Sequence, residues 1–192
     1  MPADDGLTLR PARMDDLADV ERLIARSARD LSLGYYTERQ VAGLTRHVFG
    51  VDTQLIRDGT YYVIQAADGG LAAAGGWGRR RTLYGGDRAK TGDDPPLDPA
   101  REAARIRAFF VDPRRARQGF GRRLFAACLT AARAAGFERL ALVATLPGEP
   151  LYRALGFTAD QRTTLSLPDG IEVPVIHMSR PVNLPAGAGA EP

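Results

Sequence analysis

Phe109-Phe110-Val111-Asp112-Pro113-Arg114-Arg115-Ala116-Arg117-Gln118-Gly119-Phe120-Gly121-Arg122-Arg123-Leu124 reads as a strand, a basic loop and the start of a helix. Gly119 and Gly121 stand where that helix opens. The first N–H groups of a helix have no acceptor within it, so the amides from Gln118 to Arg122 face outward as an anion site. Arg114, Arg115, Arg117 and Arg122 surround it with positive charge, which suits a pyrophosphate. Glycines at a strand-to-helix junction also serve tight turns or close packing, and a short Gly-x-Gly by itself does not separate the two uses.

A second stretch separates them. One strand later the chain runs Pro150-Leu151-Tyr152-Arg153-Ala154-Leu155-Gly156-Phe157. Together the two stretches resemble the GCN5-related N-acetyltransferase (GNAT) family, most closely over residues 106–157. The resemblance implies that coenzyme A lies on the glycine loop, bound by Phe110, Val111, Arg117, Gln118, Gly119, Phe120, Gly121 and Arg122. It also implies that Tyr152 stands near the thiol. The family's loop usually begins with Gln or Arg where this chain has Ala116, so the phosphates fall to backbone amides and to Arg115, Arg117 or Arg122.

A chain of 192 residues is one ordinary domain with enough core to need no metal or disulfide. We expect that domain over residues 1–182 and an unstructured tail over 183–192, where Ala, Gly and Pro present no core face. The formal charge is +3 and the isoelectric point about 9.3. The arginines are spread along the chain without interleaved aromatics, so a nucleic-acid partner is not expected. Cys128 is the only cysteine, and His47 and His177 form no recognised zinc spacing with it, so no metal is implied. Neither a signal core nor an apolar run of membrane-crossing length is present, so we expect a cytoplasmic protein, monomer or homodimer, with no membrane partner.

Taken in order, residues 7–11 alternate as a first strand, and Leu17, Val20, Leu23, Ile24 and Ala28 recur at helical spacing. A second helix starts at Thr37, with Val41 and Leu44 inward and His47 near its end. In the resembled family these helices wall the acceptor cleft, which makes Tyr35, Tyr36 and His47 candidate acceptor contacts; core packing is the alternative. Residues 60–67 and 71–81 form a hairpin around Asp68-Gly69-Gly70. Trp77 and Arg79 on its second strand are further acceptor candidates, against a plain core tryptophan and a solvated arginine. Residues 83–102 lack apolar periodicity and make a long loop, expected as a mobile lid. A strand over 104–111, the anion loop and a helix over 119–135 follow, with Phe120, Leu124, Cys128, Ala131 and Ala135 inward. A strand over 139–146 completes a parallel crossover. Residues 163–167 and 172–179 close the chain as a hairpin around Pro168-Asp169-Gly170. The expected class is α/β (α+β): a mixed, mostly antiparallel central sheet flanked by helices, split near the cofactor.

Acyl transfer from a thioester to an amine needs positioning, an oxyanion donor, an acid and a base. The glycine-loop amides supply positioning. The resemblance implies that the backbone N–H at or near Val111 faces the oxyanion and that Tyr152 protonates the departing thiolate. No base stands out: Glu102, His47, Glu149 and a water chain all remain open. The expected activity is N-acyltransfer from acetyl-CoA, or another acyl-CoA, to a primary amine of a small molecule or a protein by direct attack in a ternary complex. The alternative is a non-catalytic module that keeps the acyl-CoA pocket as a sensor.

Overall fold

In the computed structural model, residues 6–183 can be described. They contain strands β1 (Thr8–Pro11), β2 (Tyr61–Gln65), β3 (Leu71–Gly78), β4 (Ala104–Val111), β5 (Arg139–Thr145), β6 (Thr158–Ser166) and β7 (Glu172–Pro181). The helices are α1 (Leu17–Leu31), α2 (Glu38–His47), α3 (Thr53–Arg57), α4 (Phe120–Ala134) and α5 (Glu149–Ala154). The sheet order is β1-β2-β3-β4-β5-β7-β6. Every neighbouring pair is antiparallel except β4 with β5, as expected from the crossover through α4.

The burial of β3 explains the layering. All of Leu71 to Gly78 is buried, and a strand covered on both faces is a continuous run of apolar or small residues without alternation. On β2 the faces divide: Tyr61 and Val63 pack with Val20, Leu23 and Ile24 of α1, while Ile64 packs with Phe120 and Leu124 of α4. Each such side chain contributes about 1.5–3 kcal/mol on leaving water. On the far half of the sheet, α2 lays Leu44 against Leu167, Val173 and Val175 of the β6–β7 hairpin.

Local signals set most element ends. Thr37 caps α2, accepting from the Gln40 amide while the Gln40 side chain accepts from the Thr37 amide. Gly136, at φ +85°, ends α4. Three details differ from the sequence expectation. The buried face of α4 is Phe120, Gly121, Leu124, Phe125, Cys128 and Ala132; Ala131 is half-buried against the same core as expected, whereas Ala135 is exposed, and Phe125 and Ala132, which the expected stripe left out, join the face. Helix α3 was not expected, because one turn is too short to show a period, although Asp52 caps it by accepting from the Gln54 amide at 3.0 Å. Strand β6 begins at Thr158 rather than 163, because its exposed polar residues satisfy the β7 ladder without an apolar alternation. Apart from Asn183, the expected tail lies outside the described residues.

Candidate active site

Strands β4 and β5 pair only at Ala104 with Leu140 and Arg105 with Ala141, and beyond those residues they part. A bulge in β4 helps to part them. Ala108 takes φ +54°, the pairing of β4 with β3 shifts register there, and the Ala108 carbonyl accepts from the buried Tyr61 hydroxyl at 3.1 Å. The gap is a cleft of about 240 Å³. Residues 106–111 line one side, and Val143, Thr145, Pro147, Gly148, Leu151 and Tyr152 line the other.

At one end stands the turn quoted at the outset. Arg117 and Gly119 adopt φ +66° and +84°, which reverses the chain into α4. The amides of Gln118, Gly119, Phe120, Gly121 and Arg122 have no hydrogen-bond partner among the described residues. A Cβ at Gly119 would meet nothing within 4 Å, so glycine is needed there for its left-handed backbone and for an open approach. The arginines divide by their partners. Arg115 pairs with Asp68 at 3.6 Å, Arg114 pairs with buried Asp112 at 3.0 Å, and Arg122 donates to the Ala154 carbonyl at 3.4 Å. Arg117 is exposed and has no partner among the described residues, which leaves its guanidinium free beside the turn. Phe120 is packed into the core, while Phe110 lines the cleft edge-on to Phe49 at 5.5 Å.

The Val111 N–H points at Ser27 Oγ of α1, 3.3 Å away. Ser27 lines the cleft, is 5% exposed, and its own hydroxyl donates to no group among the described residues. Ser27 Oγ thus accepts from the Val111 N–H, and its own hydroxyl hydrogen is left to turn toward the cleft. Nothing in the Ser27 sequence context singled it out, because a serine on a helix face is common.

Tyr152 lies across the cleft, its ring 5.8 Å from Phe157 and 6.2 Å from Phe109. Its hydroxyl has no partner among the described residues, and desolvation, reinforced by Cys128, holds the phenol far above its ordinary pKa. A phenol so placed keeps its proton at any physiological pH and is available as a hydrogen-bond donor. Cys128 itself is fully buried on α4 and its thiol is also pushed well up by desolvation, as suits a core residue.

None of the acceptor candidates drawn from the sequence lines the cleft. Tyr36 is buried as a strut, donating to the Pro174 carbonyl at 2.7 Å and accepting from the Leu146 amide at 2.9 Å. His47 bonds Asp169 in the β6–β7 turn at 2.9 Å. Trp77 is buried edge-on to Phe137, Arg79 reaches the Asp58 carbonyl at the surface, and Tyr35 is half exposed. The cleft is instead walled, away from the glycine turn, by Leu31, Leu44, Val48, Phe49, Leu165 and Val175. The loop expected as a mobile lid is tied down: Arg107 donates to the carbonyls of Thr82 at 2.8 Å and Gly85 at 2.6 Å, and to Asp52 at 2.9 Å. Lys90 of the same loop pairs with the other Asp52 oxygen. Neither Glu102 nor Glu149 lines the cleft; Glu149 pairs with Arg153 and Arg162. The lining contains no carboxylate and no imidazole.

A split mixed sheet with an amide-lined turn at the end of the parting strand defines a class of acyl-CoA-binding transferase folds. The family profile for the acetyltransferase (GNAT) family matches residues 26–157, and the chain belongs to that family. Comparison with curated proteins finds no match. Among solved structures, a GCN5-related N-acetyltransferase from Rhodopseudomonas palustris is similar at TM-score 0.66 and 18% identity, over 91% of this chain and 94% of that one. A putative acetyltransferase from Salmonella typhimurium, solved with acetyl-CoA, is similar at TM-score 0.62 and 16% identity, over 96% and 99%. A phosphinothricin acetyltransferase from Sinorhizobium meliloti, in complex with acetyl-CoA, is similar at TM-score 0.60 and 20% identity, over 97% and 93%. At such identities the likeness carries the fold. No helix among the described residues is long and apolar enough to cross a membrane, and no group of metal-ligating side chains is found among them.

Proposed function

We propose that the protein transfers an acyl group, acetyl in the first instance, from coenzyme A to a primary amine by direct attack. One observation carries the reading: the turn with five unpartnered amides at residues 118–122 adjoins, through Gly121, the cleft that has Val111 and Ser27 on one wall and Tyr152 on the other.

The residues fit the co-substrate. The amides and Arg117 suit its phosphates, and the apolar parting of β4 and β5 suits its pantetheine arm. Acetyl-CoA supplies a thioester carbonyl activated for attack. The Val111 N–H, turning from Ser27 Oγ to that carbonyl oxygen, stabilises negative charge on it as the amine nitrogen bonds to the carbon, with the Ser27 hydroxyl beside it as a second donor. The Tyr152 hydroxyl donates its proton as the carbon–sulfur bond breaks, and the sulfur leaves as thiol. The proton lost by the amine passes to solvent, since the lining offers no carboxylate or imidazole to take it.

The test is to mix the protein with acetyl-CoA and a panel of amines and to follow free thiol. Amine-dependent release is expected. Tight CoA binding without turnover on any amine would instead support the sensor reading.

A further inference from the structure

We infer that the acceptor is a small amine carrying a compact apolar group, aryl or branched alkyl, and not a polyamine, an acidic amino acid or a protein side chain. This inference rests on the acyltransferase reading and deepens it. Two independent features point to it, the closure of the cleft and the chemistry of its wall.

The acceptor end is roofed by residues 83–90. The Gly86 amide donates to the Val48 carbonyl and the Asp87 amide to the Val51 carbonyl, both at 2.9 Å, and the Thr53 amide donates to the Asp87 side chain at 3.1 Å. The two backbones touch so closely that a Cβ at Gly86 would lie 2.6 Å from the Gly50 carbonyl carbon. From below, Arg107 holds the Thr82 and Gly85 carbonyls. These bonds fix Leu83, Tyr84 and Gly85 beside Val48, Phe49 and Gly50 in the lining, which narrows the room for an extended peptide. Moreover, the cleft of about 240 Å³ has to accommodate the acyl end of the co-substrate as well as the acceptor.

The wall excludes charge. Leu31, Leu44, Phe49, Tyr84, Leu165 and Val175 face the space, and Arg107 is the only charged residue of the lining. Its charge is paired with Asp52, and three of its five N–H groups are spent on Asp52 and two carbonyls, which leaves little for an acceptor carboxylate or phosphinate. With no carboxylate in the lining, a second ammonium of a polyamine would be desolvated without a partner, which is costly. An apolar group loses water there at a gain. The amine itself enters in its neutral form, having left its proton in solvent.

Thiol release should be measured with acetyl-CoA and, in parallel, 2-phenylethylamine, isobutylamine, spermidine, phosphinothricin and a lysine-containing peptide. The two apolar amines should exceed the others in kcat/KM by about ten-fold or more, the discrimination a hydrophobic pocket gives. Spermidine, phosphinothricin or the peptide proving the better acceptor would overturn the inference and leave the acyltransferase reading standing. Absence of release with every amine, despite protection of the fold by CoA, would remove the acyltransferase reading and this inference with it. Tyr84 is 40% exposed at the roof, so Tyr84→Asp should fold. It should lower kcat/KM for 2-phenylethylamine about ten-fold, raise it for spermidine and leave the KM for acetyl-CoA unchanged. An unaltered ratio of the two amines would show that the roof does not face the acceptor and would overturn the inference. Tyr84→Ala, which adds no charge, should lower both amines together.

Discussion

The two ends of the cleft are built by different means. The end proposed for the cofactor is made of backbone: one continuous segment, residues 109–124, carries the strand, the turn and the helix start with its unpartnered amides. The end proposed for the acceptor is made of side chains from α1, α2, residues 83–85 and the β6–β7 hairpin, which are widely separated in sequence. Backbone geometry is announced locally by glycine spacing and a helix start. A side-chain wall is announced by nothing until the chain folds. The same contrast separates the residues that bind from those that brace, since Tyr36 and Arg107 each tie distant segments together.

That comparison can be broken at several points. The largest effect is expected at Arg107→Ala, which leaves Asp52 buried with Lys90 as its only cationic partner; breaking a buried pair in this way costs about 3–5 kcal/mol. Chemical denaturation should show it, and loss of the roof should raise the KM of the amine. A stable variant with unaltered KM would mean that the roof is not held from below.

Tyr152→Phe tests the shared wall. Turnover should fall about a hundred-fold while the Kd for CoA barely moves, because an acid acts only when the sulfur leaves. Equal turnover would remove the phenol from the mechanism. Gly119→Asp should do the reverse: a side chain at a left-handed position and a negative charge at the anion turn should weaken CoA binding by about ten-fold or more, read by titration calorimetry.

Ser27→Ala separates a donor from a spacer. If the hydroxyl assists the Val111 N–H, kcat should drop about ten-fold with the KM of acetyl-CoA unchanged, and Ser27→Thr should restore part of it. A variant with wild-type kcat would leave the oxyanion to the backbone alone. The smallest effect belongs to Tyr36→Phe. It orphans the Leu146 amide and the Pro174 carbonyl and should cost about 2 kcal/mol of stability with no change in amine preference. A change in preference would put Tyr36 back at the acceptor.

How much was legible follows from these particulars. The order of the strands, the crossover through α4 and the glycine turn were readable, because alternation, period and helix starts are local. The one-turn helix α3 and the polar first half of β6 were not, since neither shows an apolar period. Tyr152, singled out by its motif, lines the cleft, whereas Ser27, which also lines it, was not singled out, because its place there depends on where α1 lies against β4. Tyr36, His47, Trp77 and Arg79 attracted attention as residue types that often serve sites; outside the cleft lining, Tyr36, His47 and Arg79 hydrogen-bond elsewhere and Trp77 packs on Phe137.

By itself, then, the sequence determined the split mixed sheet and the turn whose amides suit an acyl-CoA, because both are written in backbone preferences within short segments. Only the tertiary structure decided which side chains face the space beyond that turn. Burial and pairing are settled between segments far apart in the chain, and it is there that Arg107 became a brace, Ser27 a neighbour of the Val111 amide, and the wall beyond the turn largely apolar, its one charged side chain paired with Asp52.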